Sequence, residues 1–287
     1  MKLSVRTSVF CPPCWLCLAT ALGLSAGLSP AVAAEDDAES STNREIRPIE
    51  ELFMTDTVYP QEKGELEIAL LPVYQNNAQG DTWTTPVSVE YGLTSCWQVE
   101  GEWDAYRERL PHNGPAVGGV GDLELGTQYS FLNLGQSLFH LAPRFSLTLP
   151  LGSVNKGLSE GFLKYQPALV LARDMPTWHH TQLFTEIGLG LVQRLKRPAD
   201  ADDAKPAAHE LDWGAGFFTL LPQGAFTLEF NLANNRWNHH GEEDDLYVTP
   251  GWLWHPFKHT EVGLGVPVGL NRQSDRYDLI AHIVYEF

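Results

Sequence analysis

From residue 277 to residue 287 the side chains alternate. Tyr277, Leu279, Ala281, Ile283, Tyr285 and Phe287 fall on one parity, while Asp278, His282 and Glu286 fall on the other. Successive strand side chains point to opposite faces, so a period of two predicts a strand with one apolar and one charged face. About twelve such segments recur from Gly64 onward, near 64–74, 82–93, 96–105, 118–131, 137–150, 160–173, 178–194, 209–221, 224–234, 244–254, 258–270 and 277–287. The clearest apolar faces are Phe139, Leu141, Phe145, Leu147 and Leu149; Leu183, Ile187, Leu189 and Leu191; and Phe226, Leu228, Phe230 and Leu232. Most segments have the roughly ten residues that a tilted strand needs to cross a bilayer.

The connections sort by length. Thr94-Ser95, 133–136, 175–177, Pro222-Gln223 and Pro256-Phe257 are tight turns, and between them run longer polar links at 76–81, 106–117, 151–159, 195–208, 235–243 and 271–276. Short turns on one side and long loops on the other are the habit of outer-membrane barrels, and an even strand number puts both termini in the periplasm. A closed barrel leaves no backbone group facing lipid. The expected fold is therefore all-β: a single transmembrane antiparallel up-and-down β-barrel of about 12 strands, spanning 63–287 and closed by the strand ending in Phe287. Tyr285 and Phe287 form the expected assembly signal. Trp83, Trp97, Trp103, Trp178, Trp213, Trp252 and Trp254 lie near strand ends, as interfacial belts require. Glycines such as Gly188, Gly190, Gly214, Gly216, Gly263 and Gly265 share the inward parity, where they leave room for close approach.

The first 33 residues read as a secretory signal peptide. Lys2 and Arg6 precede an apolar run from about Trp15 to Leu28, and Ala31-Val32-Ala33 supplies small residues for cleavage. No later run is long and apolar enough for a membrane helix. Cys11, Cys14 and Cys17 leave with the leader, so Cys96 remains alone and neither a cysteine metal site nor an intrachain disulfide is expected. Residues 34–62 carry neither period. They read as a flexible periplasmic segment, with Ile49, Leu52 and Phe53 the residues that would enter the barrel mouth if it acts as a plug. The net charge of −17 argues against nucleic acid as partner, because phosphate binding needs clustered Lys and Arg.

Several runs resemble one known family. They are Phe53-Met54-Thr55-Asp56; Lys63-Gly64-Glu65-Leu66-Glu67-Ile68; Gly119-Val120-Gly121-Asp122-Leu123-Glu124-Leu125-Gly126-Thr127-Gln128-Tyr129; Leu149-Pro150-Leu151-Gly152; Tyr165-Gln166-Pro167-Ala168-Leu169; and Gly265-Val266-Pro267-Val268-Gly269-Leu270-Asn271. In order, they span nearly all of the mature chain. The set resembles the bacterial outer-membrane barrels named "MetA-pathway of phenol degradation", grouped as transporters. The resemblance implies a channel or uptake role linked to aromatic catabolism, in the outer membrane of a Gram-negative bacterium.

Parity also assigns the chemistry. The inward acids are Glu65, Glu67, Glu90, Glu100, Glu102, Asp104, Asp122, Glu124, Glu186, Asp212, Glu229, Glu261, Asp278 and Glu286, with Arg144 and Lys164 opposing them. Rings of Asp and Glu select cations, so a wet lumen of this kind should pass cationic or neutral solutes, small aromatic or hydrophobic compounds included, in preference to anions. That departs from what an importer of aromatic carboxylates needs. The bland reading is that these charges merely solvate a small barrel. His140 and His282 share the inward parity, as pH-sensitive pore residues or as satisfied hydrogen-bonders. His239 and His240, beside Glu242, Glu243, Asp244 and Asp245, offer metal-type ligands without fixed spacing, so the acidic loop is expected to be solvated and no metal or cofactor is assigned. No GxSxG, P-loop or HExxH occurs, and Ser137 near His140 is an unremarkable pair, so an enzyme is not expected. The alternatives are a non-conducting structural or loop-binding barrel and, behind it, a lipid-modifying enzyme. Expected partners are outer-membrane lipid and lipopolysaccharide, the barrel-assembly machinery and a small-molecule solute.

Overall fold

A computed structural model of the chain describes residues 49, 51–78, 80–178, 180–199, 209–234 and 244–287. The leader, most of the acidic lead-in and the His239-His240 loop lie outside the described residues. The rest is one closed antiparallel barrel. Its strand segments are β1 (Leu66–Leu70), β2 (Val73–Asn77), β3 (Gly80–Thr94), β4 (Trp97–Pro111), β5 (Val117–Gly119), β6 (Leu123–Tyr129), β7 (Phe139–Leu149), β8 (Phe162–Met175), β9 (Thr181–Arg194), β10 (Glu210–Leu221), β11 (Gly224–Asn234), β12 (Asp244–Phe257), β13 (Thr260–Gly265), β14 (Val268–Gly269) and β15 (Tyr277–Glu286). Three pairs, β1/β2, β5/β6 and β13/β14, are single staves interrupted midway, so the wall has twelve strands. Each pairs with its chain neighbour. The last closes on the first through Glu67↔Glu286 to Leu70↔Ile283 and Tyr277↔Asn76 to Ile280↔Val73.

The interruptions have local causes. Pro72 and Pro267 cannot donate to a ladder, and their carbonyls still accept from Ala281 (3.0 Å) and Asp278 (2.8 Å) of β15. Between β5 and β6, Gly121 donates to the Asp104 carbonyl (2.9 Å) while Asp104 donates back to the Asp122 carbonyl (3.0 Å). A bulge in β4 has wider effect. Thr85 pairs with Tyr106 but Pro86 pairs with Asp104, so Ala105 is an extra residue and the parity of β4 inverts beyond it. The strand also runs to Pro111, past the expected end at 105, which shortens the adjoining loop.

The two faces differ in the way parity predicts. Outward side chains such as Ile68, Val89, Leu125, Phe145, Ile187, Phe230, Leu264 and Ile283 are each 37–56% exposed, and so are six of the seven singled-out tryptophans, with Trp178 higher still. An apolar surface encircling the whole molecule far exceeds the patches that water-soluble monomers tolerate, so it needs a lipid covering. The hydrophobic core lies inside the barrel. Ile49, Leu52, Phe53 and Val58 pack there against Ala142, Val170, Ala172, Phe184, Phe218, Ala225, Leu253 and Ile280 of the wall.

Cys96 is buried at the turn between β3 and β4, and the other cysteines of the sequence are Cys11, Cys14 and Cys17. Those cysteines lie outside the described residues.

Candidate functional site

The lumen is built around residues 51–62, which have no secondary structure of their own and take their hydrogen bonds from the wall. A backbone withdrawn from water must find partners, and here the inward carboxylates supply them. Glu229 of β11, fully buried, accepts from Phe53 N (2.9 Å), Met54 N (3.0 Å) and Thr55 Oγ1 (2.8 Å). Glu186 of β9 accepts from Asp56 N (3.0 Å), and Glu261 of β13 from Glu51 N (3.3 Å). On the opposite wall Gln128 donates to the Thr57 carbonyl (3.1 Å), Gln98 accepts from Gln61 N (2.8 Å), and Gln61 Nε2 donates to Glu67 (2.8 Å) and Glu90 (3.2 Å). Contacts on so many staves place this segment inside the barrel.

Glycines make the space for it. A Cβ on Gly251 or Gly265 would collide with the Phe53 ring, and one on Gly214 with Thr55. The inward glycines of β10, β12 and β13 are thus a slot shaped to the segment. Phe53 fills it and stacks on His282, with ring centroids 5.1 Å apart and planes 6° from parallel. His282 in turn lies 3.4 Å from Glu261, whose other oxygen meets His255 at 3.0 Å.

A cavity of about 650 Å³ remains beside the segment. Its walls bring together Glu90, Glu100, Glu102, Glu124, Glu186 and Asp212, with Asp278, Arg144 and His282. Arg144 is not free to neutralise the whole ring, because it pairs with Glu100 and with Asp56 of the lumenal segment. Glu124 also accepts from Thr148 Oγ1 (3.1 Å). Burial and the neighbouring carboxylates, Glu90 foremost, hold the Glu51 carboxyl well above the usual carboxylate range.

Other residues singled out by parity sit elsewhere. Asp122 ties down the 151–159 loop, accepting from Gly152 N (3.0 Å) and Ser159 Oγ (2.9 Å). Lys164 pairs with Glu210 (3.0 Å) and Glu160 (3.6 Å). His140 is buried outside the cavity lining. It accepts from Asn133 N at Nδ1 (3.1 Å), which leaves Nε2–H to donate to Asp174 (3.1 Å), and Tyr59 and Gln182 complete that network. Ser137 donates to the Leu134 carbonyl (2.5 Å) and forms no pair with His140. Tyr285 and Phe287 point outward and meet edge-on, with centroids 4.7 Å apart.

Sequence reasoning missed a set of bases at the long-loop end. Arg107, Arg109, Lys156 and Arg194 line a second cavity of about 740 Å³, and Arg107 pairs with Asp104 at 2.6 Å. Arg107 and Arg109 reach this cavity because of the extra residue at Ala105; unbroken alternation puts both on the outer face. The proline at 86 was the available hint, since a proline inside a strand often marks a bulge.

No protein-family model and no curated protein matches the chain. Among solved structures it is similar to an outer membrane channel from Pseudomonas putida F1, at 11% identity and TM-score 0.57, covering 80% of this chain and 98% of that one. It is also similar to the NanC porin, at 12% identity and TM-score 0.52 over 77% of this chain and 98% of that one. A third likeness is to the KdgM porin in complex with disordered oligogalacturonate, at 11% identity and TM-score 0.50 over 77% and 99%. At such identities the likeness shows the fold: a closed β-barrel of the kind that outer-membrane channels and porins share.

Proposed function

We propose that this protein is an outer-membrane channel of a Gram-negative bacterium that passes small cationic or neutral solutes, compact aromatic compounds included, through an acidic lumen. The supporting observation is the cavity of about 650 Å³ inside a closed, lipid-facing barrel, whose lining carries ten carboxylates against the single guanidinium of Arg144. A ring of acids concentrates cations and repels anions. The similar solved structures, a channel and two porins, support the same reading. Residues 51–62 act in it as a plug that narrows the path, held by Glu229, Glu186 and Gln98. Both termini face the periplasm, the Tyr285-Phe287 edge addresses the chain to the assembly machinery, and lipid and lipopolysaccharide cover the outside.

The experiment is single-channel recording of the refolded mature protein across a planar bilayer with a salt gradient. Discrete openings with a cation-selective reversal potential are expected. A second reading is favoured by how fully the segment crosses the lumen: a non-conducting barrel whose long-loop end binds a ligand. Verified insertion without conductance would replace the first reading by the second.

A further inference from the structure

We propose that Glu51, Glu67 and Glu90 bind a hard divalent cation, calcium the best fit, which clamps the lumenal segment to the barrel wall. One carboxylate oxygen from each lies within 4.8 Å of the other two. They come from three parts of the chain: Glu51 from the lumenal segment, Glu67 from β1 and Glu90 from β3. Glu67 and Glu90 are direct partners in the β1–β3 register, so their side chains share a face of the wall.

An acidic cluster alone would carry little. Here Glu67 is 1% exposed, and its Oε1 has no hydrogen-bond partner among the described residues. Its other oxygen and one of Glu90's are held by neutral amides: Gln61 donates to both (2.8 and 3.2 Å), and Gln98 donates to Glu90 (2.9 Å). Neutral donors orient a carboxylate without cancelling its charge. A buried carboxylate oxygen with no partner is costly, and the group either takes up a proton or meets a cation. The two inward bases assigned by parity are engaged elsewhere, Arg144 with Asp56 and Glu100, and Lys164 with Glu210 and Glu160.

The ligand chemistry selects the ion. Three carboxylates and no nitrogen or sulfur donor suit a hard cation. Calcium, with Ca–O of about 2.3–2.6 Å, takes six to eight oxygen ligands, carboxylates among them, in a shell that accepts irregular geometry. Magnesium demands an octahedron about 4.2 Å across and keeps most of its water. The consequence is mechanical. The ion would join the start of the lumenal segment to two adjacent wall strands, so calcium should hold the segment in place whether or not the barrel conducts.

The test is calorimetric titration of calcium chloride into the chelator-treated full-length protein in detergent. It is run beside Glu67→Gln, Glu90→Gln and the control Glu108→Gln, with resistance of the unboiled protein to detergent unfolding as the check that each variant is folded. One saturable site of sub-millimolar dissociation constant is expected in the unaltered protein and the control, weakened about tenfold or more in either cluster variant. Hydrogen exchange in residues 51–62 should slow on adding calcium in the unaltered protein and not in the cluster variants. No binding up to about 10 mM calcium, or equal binding in all four folded proteins, would overturn the proposal.

Discussion

Replacing Glu229 by Gln strikes the contact that holds the lumenal segment at its tightest point. The substitution keeps the size and keeps one acceptor, Oε1, which still takes the Phe53 N–H. It turns Oε2 into an NH₂ group facing Met54 N and Thr55 Oγ1, which now donate to that oxygen at 3.0 and 2.8 Å. The threonine hydroxyl can rotate and accept instead, but the Met54 N–H cannot. A hydrogen bond to a charged acceptor contributes about 1.5–3 kcal/mol, and a buried donor left unmatched costs about 1–3 kcal/mol. The expected loss is about 3 kcal/mol of local stability, which at about 1.4 kcal/mol per decade means a hundredfold or greater rise in the open population. Hydrogen exchange with mass spectrometry on the protein in lipid nanodiscs reads this directly, because local opening governs the exchange of these amides. Amides of residues 53–56 should exchange about a hundredfold faster, while those of β11, Gly224–Asn234, stay protected. Unchanged exchange at 53–56 would refute the assignment of Glu229 as the anchor. Equal acceleration in β11 would mean that the wall itself had loosened.

Ile187 is 49% exposed on the outer face of β9, and Ile187→Arg should cost roughly 2–4 kcal/mol near the membrane midplane, read as a lower urea midpoint for folding into liposomes. An unshifted midpoint would mean that this face does not meet lipid. Glu100→Gln combined with Glu102→Gln removes two charges from the cavity lining and should move the reversal potential toward zero in a salt gradient; an unaltered potential would detach selectivity from these acids. Gly265→Val puts a branched side chain where the Phe53 ring lies, so proteolysis between residues 51 and 62 should quicken while the barrel stays detergent-resistant. Phe53→Ala should release the same segment by emptying the slot, at about 3 kcal/mol or more, and equal protease resistance of the two variants and the unaltered protein would remove the slot from the account.

The alternation of Leu183, Ile187 and Leu191 with Phe184, Glu186 and Gly188 was enough to settle strand, face and class. A side-chain period of two is a local property, and a lipid-facing wall forces it on every strand alike. The same rule put Glu90, Glu100, Glu102, Glu186 and Asp212 on one face, and closure of the sheet brings them to a common cavity. It was not carried to Arg107 and Arg109, read as part of the 106–117 loop, where the strand continues and one additional residue at Ala105 turns it over, an event that depends on pairing with Pro86 across the sheet. Residues 51–62 were the least legible stretch. They follow no period because their partners are eight or more separate staves, distant in sequence: Glu229 for Phe53, Gln98 for Gln61, Asp174 for Tyr59. The sequence by itself therefore determined the wall, since each strand meets lipid on its own terms. Only the tertiary structure decided the contents of the lumen, because which carboxylate holds the segment, which glycines admit Phe53 and which three acids converge are set by closure of the barrel.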